Sequence, residues 1–219
     1  MRTIRVTGKG QLKVRPDTTR ITMTLTGLYP EYGEALCRSA EDTEALKSVL
    51  ANFGFERSDV KTISFAVDTE YESCRDASGD YRQIFAGYRF RHVMKVEFES
   101  DNDRLGRILY ALARCSVGPE FRISYTVKDP EATKNQLLGK AVTDAAEKAA
   151  VLARAGGVAL GNIQSIDYSW GEVDFEYRPM RGEWMIDCCE GPVAKSYSLD
   201  IEPDDIDVSD TVTVVWDIA

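Results

Sequence analysis

The chain has 219 residues, of which 43% are hydrophobic and 29% are charged, and this length lies between one large domain and two small ones. Its formal net charge of -9 excludes a protein whose main function is to grip phosphate backbones, because such binding depends on Lys and Arg displacing counterions. We therefore expect neither nucleic acid nor an anionic membrane as a partner.

The N-terminal sequence MRTIRVTGKGQLKV alternates polar and apolar residues from its start, without the apolar run and cleavage site of a secretory signal. No stretch approaches the roughly 18 consecutive apolar residues that predict a membrane-spanning helix. The five cysteines are odd in number and irregularly spaced, which fits free thiols in a reducing compartment. Together these observations predict a cytoplasmic protein.

Two alternating segments near the start of the chain, residues 3–7 and 18–26, predict two half-buried strands. Gly8, Gly10 and Pro16-Asp17 lie between them and are expected to form the turn, because glycine tolerates positive φ and proline fixes its own.

From Glu31 to Phe53 the apolar residues take helical spacing, and Gly54 is placed to end this first helix. Alternation then returns over residues 63–73 and 87–100, which predicts a hairpin of two long strands with a polar, exposed tip at about residues 74–83. The predicted apolar face of the helix contains Leu36, Ala40, Leu46, Val49, Leu50 and Phe53.

A second helix is predicted from Asp103 to Cys115, followed by a strand over residues 121–127. Asp129-Pro130 opens the longest helix, which runs to about Ala155, since proline suits the first helical position and alanine is the best helix former. The small side chains of Ala141, Ala145 and Ala149 should let this helix lie close against a sheet.

The stretch 171–203 is too long for an idle loop in a compact domain, and its alternating residues on either side of a possible turn at 178–182 indicate a hairpin-like arm. Residues 210–218 then form a closing strand. The predicted order is β-β-α-β-β-α-β-α-β-(arm)-β, which favours an α+β fold over a doubly wound parallel sheet. We interpret residues 1–219 as a single domain with the 171–203 arm inserted in it.

Several motifs, in order along nearly the whole chain, give it a family resemblance. They are I-x-V-x-G-x-G at residues 4–10, Leu50-x-x-Phe53-Gly54-Phe55, the alanine-patterned helix 141–153, and Leu160-Gly161-x-Ile163. In these features the chain resembles the SIMPL-domain family. The resemblance implies an α+β domain of largely unknown biochemical function, in a family with bacterial periplasmic immunogenic proteins linked to oxidative-stress defence. It also implies homo-oligomers for some members, and it supplies no catalytic residues.

The residues themselves predict no catalytic site. His92 is the only histidine, and it lies between Phe90 and Met94 on the apolar face of its strand, so we expect a hydrogen-bonded core histidine rather than a general base. The stripe of Arg89, Arg91 and Lys95 on the opposite face should pair with acidic residues of the neighbouring strand, namely Asp68, Glu70 and Glu72.

The cysteines predict neither a metal site nor any cofactor. Adjacent Cys188 and Cys189 cannot easily direct both sulfurs at one tetrahedral metal, and Cys37 and Cys115 are expected as small buried residues of helices. Cys74, Cys188 and Cys189 lie in predicted exposed connections. Cys188 and Cys189 are the candidate redox residues, although the acidic residues that flank them disfavour a thiolate.

The arm is rich in aromatic residues and methionine, which usually mark a protein or ligand contact when they are exposed. The alternative is that the arm folds back over its own sheet. Our first hypothesis is a non-enzymatic protein that forms homo-oligomers through its sheet edges and this arm. The others are a thiol-dependent redox or stress protein and a small-ligand binder with the arm as its lid. The candidate interface residues are Phe175, Tyr177, Met180, Trp184 and Met185.

Overall fold

The computed structural model describes residues 2–75, 81–168, 175–177 and 202–219. These residues form an α+β fold in the predicted order, with antiparallel strand pairs and three helices. The elements are β1 (Thr3–Val14), β2 (Thr18–Tyr29), α1 (Tyr32–Ala51), β3 (Lys61–Arg75), β4 (Tyr81–Glu99), α2 (Asn102–Ala113), β5 (Glu120–Thr126), α3 (Pro130–Ala155), β6 (Leu160–Tyr168) and β7 (Ile206–Ile218).

The chain divides into two compact units. The first contains residues 1–17, 125–177 and 203–219, and the second contains residues 18–124 and 178–202. A single domain, as predicted from the sequence, requires the two units to fold cooperatively. The single domain stays a prediction.

The second unit has a ferredoxin-like topology. Its elements follow in the order β2, α1, β3, β4, α2, β5, and its sheet has the strand order β3-β4-β2-β5. β4 pairs antiparallel with β2 on one side and with β3 on the other. The first and third strands of a βαββαβ unit are thus central, as in the split βαβ arrangement. β3 and β5 are the edges.

The helices α1 and α2 contribute to one apolar cluster with β2 and β4. Burial of such side chains is the main force that holds the layers together, at about 25 cal/mol per Å² of apolar surface. The fully buried members of this cluster include Ile21, Met23, Leu46, Leu50, Phe90, Val96, Leu105, Ile108 and Leu112.

The buried face of α1 differs from the predicted one in its first half. Ala35 and Ser39 are buried there together with Leu46 and Leu50, whereas Leu36 is exposed. Small residues rather than large ones face the sheet in the first turns of α1. Hydrophobicity alone therefore predicted the wrong buried face for this half of the helix.

The first unit has a three-stranded sheet, with the order β1-β7-β6, and the helix α3. β7 is central and pairs antiparallel with both neighbours. Asp129 caps α3, because its Oδ1 accepts from the backbone N–H of Ala132 at 2.9 Å. The bounds of α3, Pro130–Ala155, are those predicted from the sequence.

The helix α3 packs directly on the backbone of β1. Its buried face consists of Leu137, Ala141, Ala145, Ala149 and Ala153. A Cβ placed on Gly8 would lie 2.0 Å from the carbonyl oxygen of Ala141, and a Cβ on Gly10 would lie 2.2 Å from that of Leu137. Only glycine permits this approach.

Our assignment of Gly8 and Gly10 to a turn was therefore wrong. Both lie inside β1, where their register partners are Val212 and Asp210 of β7. They serve close packing of helix on strand, and only residues 15–17 connect β1 to β2.

Candidate interaction surface

The edge strand β3 is exposed over nearly its whole length. Of its 15 residues only two are partly buried, and the rest are exposed. Ile63, which lies at a break in the register with β4, and Phe65 keep 54% and 46% of their surface accessible, although both are apolar. A long exposed edge of this kind presents unpaired backbone groups for pairing with another chain.

β3 and β4 continue as a two-stranded ribbon beyond the rest of the sheet. The pairing of β4 with β2 ends at Tyr88, so among the described residues, residues 81–87 pair only with residues 70–75 of β3; we call these two segments the ribbon. An isolated two-stranded ribbon is marginally stable in water. Its exposed apolar residues are Tyr71, Tyr81, Ile84 and Phe85, with 55%, 76%, 55% and 45% of their surface accessible.

Aromatic rings link the ribbon to the body of the unit. The ring centroids of Tyr71 and Phe85 are 5.8 Å apart, those of Phe85 and Tyr88 are 5.3 Å apart, and those of Tyr88 and Tyr32 of α1 are 5.5 Å apart. All three pairs have edge-to-face geometry, which is favourable for aromatic rings. Gly87, with a φ of 148°, begins the ribbon, where a side chain would clash with the carbonyl oxygen of Tyr29.

Ion pairs cover much of the sheet face opposite the helices. Arg89 donates from Nη2 to Glu70 Oε1 at 2.8 Å, as predicted for the basic stripe. Lys95 instead pairs with Glu97 of its own strand, at 2.9 Å. Among the residues that the structure describes, Arg91 and Asp68 have no ion-pair partner.

Glu97 forms ion pairs with two cationic side chains. Arg20 Nε donates to its Oε1 at 2.6 Å, and Lys95 Nζ donates to the same oxygen. Partial burial acts to raise the pKa of this carboxyl, but the hydrogen bonds from Lys95 and Arg20 outweigh it and hold the pKa below its usual value.

His92 is bound by two threonines. Its Nδ1 lies 3.0 Å from Thr43 Oγ1 of α1, and its Nε2 lies 2.9 Å from Thr62 Oγ1 of β3. The ring of Phe65 packs edge-on against the imidazole. Burial lowers the pKa of His92, and the charge of Lys47 lowers it further. His92 is hydrogen-bonded, as expected from the sequence, but it is half-buried and not part of the core.

The cysteines that the structure describes are not brought together. Cys37 is exposed on α1, which corrects its expected burial, and Cys115 is half-buried just after α2 rather than inside it. Cys74 is exposed, as predicted, but it lies in β3 and not in the connection between the strands. Cys188 and Cys189 lie outside the described residues. Within the described ranges, no three His, Cys, Asp or Glu side chains lie close enough to hold a metal ion.

Of the candidate interface residues, Phe175 and Tyr177 lie on their own unit. Phe175 is buried with Val127, Leu137 and Ile206, and Tyr177 exchanges backbone hydrogen bonds with Tyr125 at 2.9 and 2.8 Å. For these two residues the structure favours the alternative that they fold back over the chain's own sheet. Met180, Trp184 and Met185 lie outside the described residues.

A groove of about 510 Å³ lies beside α3, and its lining includes Val6, Asp144 and Val151. Asp144 accepts from Lys148 Nζ at 2.6 Å and from the backbone N–H of Lys9 at 2.7 Å. These bonds engage the carboxylate of Asp144, and Glu147 also lines the groove. In the part of the chain that the structure describes, no helix is both long and apolar enough to cross a membrane.

Comparison with solved structures identified a de novo designed protein, Ferredog-Diesel, at 18% identity and a TM-score of 0.21, covering 51% of this chain and 88% of that one. A TM-score this low supports no conclusion about the fold. The topology of the second unit is therefore inferred from its own strand order.

Two curated relatives are each named 26 kDa periplasmic immunogenic protein, from Brucella melitensis biotype 1 (strain 16M) and from Brucella abortus (strain S19). Each is 24% identical over 163 residues, which are 74% of this chain and 65% of the relative. The word periplasmic in the name of these relatives does not fit the cytoplasmic location predicted from the sequence of this chain.

The family match is much broader. Residues 4–216 match the SIMPL family, described as a protein of unknown function (DUF541). The match extends from β1 to β7 and so includes both units. The chain therefore belongs to the SIMPL family.

Proposed function

We propose that this chain is a non-enzymatic, self-associating SIMPL protein whose exposed sheet edges make the contacts between copies. The observation that carries the proposal is the edge strand β3 with its ribbon, which exposes aromatic and aliphatic side chains and, within the described ranges, pairs with a strand on one side only. Exposed apolar surface of this kind marks a contact site in a water-soluble protein.

The four sheet edges differ in how they are protected. β1 carries Arg5, Lys9 and Lys13, and the N–H of Lys9 is already bound by Asp144 of α3. Cationic side chains and covered backbone groups are the means by which proteins block edge pairing. β5 is short and buried at its C-terminal end.

β3 has cationic side chains only at its two end residues, Lys61 and Arg75, and β6 has none. β6 is exposed at eight of its nine residues and presents Ile163, Ile166 and Tyr168. The longer β3 adds the ribbon to its exposed edge. The contrast with β1 and β5 supports a role for β3 and β6 as contact edges.

The proposed absence of catalysis is supported by the state of the single histidine. The Nδ1 of His92 bonds to the hydroxyl of Thr43 at 3.0 Å, so a hydroxyl occupies the place that the acidic residue takes in a Ser-His-Asp triad.

Size-exclusion chromatography with light scattering tests self-association. We expect the wild-type protein to have a mass that is a multiple of the 24.5 kDa chain, and we expect a Tyr71→Ser, Phe85→Ser double variant to shift toward 24.5 kDa. Tyr110→Ser is a control, because Tyr110 (46%) is about as exposed as Phe85 (45%) but lies on α2. A wild-type monomer at every concentration would refute self-association. An unchanged mass in the double variant would refute the contribution of the ribbon.

A further inference from the structure

The edge strand β3 contains one regular segment. Its pairing with β4 is irregular between Thr62 and Ser64 and again between Glu70 and Tyr71, whereas Ser64–Glu70 pairs without interruption. Bulges locally disrupt a strand and bend it, so only the segment between them offers a straight edge to a new strand. The midpoint of this segment is Val67.

We propose that β3 of one copy pairs antiparallel with β3 of a second copy, around a two-fold axis at Val67. This proposal rests on the self-association proposed above and specifies its geometry. The pairing joins two four-stranded sheets into one continuous sheet. It places Val67 opposite Val67 of the second copy, Phe65 opposite Thr69, Ala66 opposite Asp68, and Ser64 opposite Glu70.

Charge selects this register. Moving the axis to Asp68 would place two Asp68 carboxylates opposite each other, and moving it to Thr69 would place Asp68 opposite Glu70; like charges at directly opposite positions are destabilising. Moving it to Ala66 would shorten the regular overlap, because the bulge after Thr62 would then enter the paired region. With the axis at Val67, each acidic residue faces a small uncharged one.

The same register gives partners to Arg91 and Asp68, which lack them within the described chain. Ala66 is the register partner of Arg91 in β4, and across the axis it faces Asp68 of the second copy. Arg91 and that Asp68 are then two strand spacings apart, or about 10 Å between Cα atoms. The small side chain of Ala66 leaves room for the arginine to reach over it. Symmetry produces this ion pair twice.

The helix side of the sheet gains apolar contact from the same pairing. Phe65 is 46% exposed and would lie diagonally between Val67 and Tyr71 of the second copy. Diagonal neighbours on one sheet face are within reach of aromatic side chains. Val67 already packs at the margin of its own core cluster, so the two cores would meet at the axis.

Cysteine cross-linking tests the register. In a chain whose five native cysteines are replaced by serine, Val67→Cys should give a disulfide-linked dimer on mild oxidation with diamide, because directly opposite Cβ atoms lie about 5 Å apart. Thr69→Cys alone should not, since it faces Phe65. An equimolar mixture of Phe65→Cys and Thr69→Cys chains should form the mixed dimer.

Charge reversal tests the ion pairs in the chain with its native cysteines. Asp68→Arg or Arg91→Asp alone should raise the dimer dissociation constant by about tenfold or more, because each places like charges together twice. The double variant, with the charges exchanged, should return to within about threefold of the wild-type constant. Circular dichroism of each variant establishes that it is folded.

The outcomes separate this pairing from self-association in general. If the wild-type chain assembles but Val67→Cys does not cross-link, or if exchanging the charges gives no recovery, the β3 pairing is wrong and another surface makes the contact. If the wild-type chain is monomeric, both proposals fail. The charge-reversal experiment decides the matter on its own if the cysteine-free chain does not fold.

Discussion

At the scale of single residues, the hydrogen bonds of His92 determine which ring nitrogen carries its proton. Thr43 Oγ1 donates its only proton to the carbonyl oxygen of Ser39, at 2.7 Å, so it can only accept from the histidine. Nδ1 is therefore the donor, and Nε2 accepts from the hydroxyl of Thr62. Because the chain has one histidine, ¹⁵N NMR of the imidazole should give an unambiguous Nδ1–H tautomer. An Nε2–H tautomer would contradict this geometry.

The same surroundings predict how stability depends on pH. Burial, followed by the charge of Lys47, lowers the pKa of His92 in the folded chain, so the unfolded chain takes up its proton at a higher pH. Stability from this group is therefore complete above the unfolded value of about 6.5 and falls as the pH drops toward the folded pKa. We expect an NMR titration midpoint below about 6.5.

A control variant isolates the contribution of His92. His92→Gln should lose less stability than the wild-type chain between about pH 7.5 and about pH 5.5, as measured by urea unfolding, because it has no proton to take up. Equal losses in the two proteins would assign the pH dependence to the carboxylates instead.

At the scale of elements, the contact between β1 and α3 depends on two glycines. Gly8→Ala would place a Cβ 2.0 Å from the carbonyl oxygen of Ala141, so α3 must move, at a cost of about 1–3 kcal/mol in the free energy of unfolding. Gly139→Ala in the same helix is the control. It has no neighbour within 4 Å, and it should stabilise the chain by about 0.5–1 kcal/mol. Urea unfolding of both variants distinguishes close packing from a general effect of alanine.

These glycines also show where prediction from the sequence ends. The bounds of α3 follow from local signals, namely Asp129-Pro130 at its start, alanine within it and Gly156 at its end. The role of Gly8 depends instead on Ala141, which is more than 100 residues away, and no local pattern reveals that contact. A glycine in a strand that packs under a helix therefore has the same local appearance as a glycine in a turn.

The exposure of β3 escaped prediction for a similar reason. Its alternation of apolar and polar residues is that of a half-buried strand, and the sequence correctly predicts its hairpin with β4. Burial depends on strand order, because α1 and α2 pack mainly on β2 and β4 and leave nearly the whole edge strand exposed. The local pattern of residues does not reveal strand order, so the sequence did not show that this apolar strand lies at a sheet edge.

At the scale of the whole molecule, the second unit is inserted into the first. Residues 18–124 are continuous, whereas the first unit combines the start of the chain with its later segments. The apolar cluster formed by β2, β4, α1 and α2 lies entirely within residues 18–124. A fragment of residues 18–126, which retains all of β5, should therefore fold alone and unfold cooperatively in urea.

The fragment also tests which of the two units makes the contacts between copies. Because it retains β3 and the ribbon, it should associate through β3 with the same dependence on Asp68 and Arg91 as the full chain. A folded but monomeric fragment would assign the contacts to the first unit, where β6 is the exposed edge. A fragment without a cooperative transition would instead make residues 1–219 one folding unit, as the single-domain prediction requires.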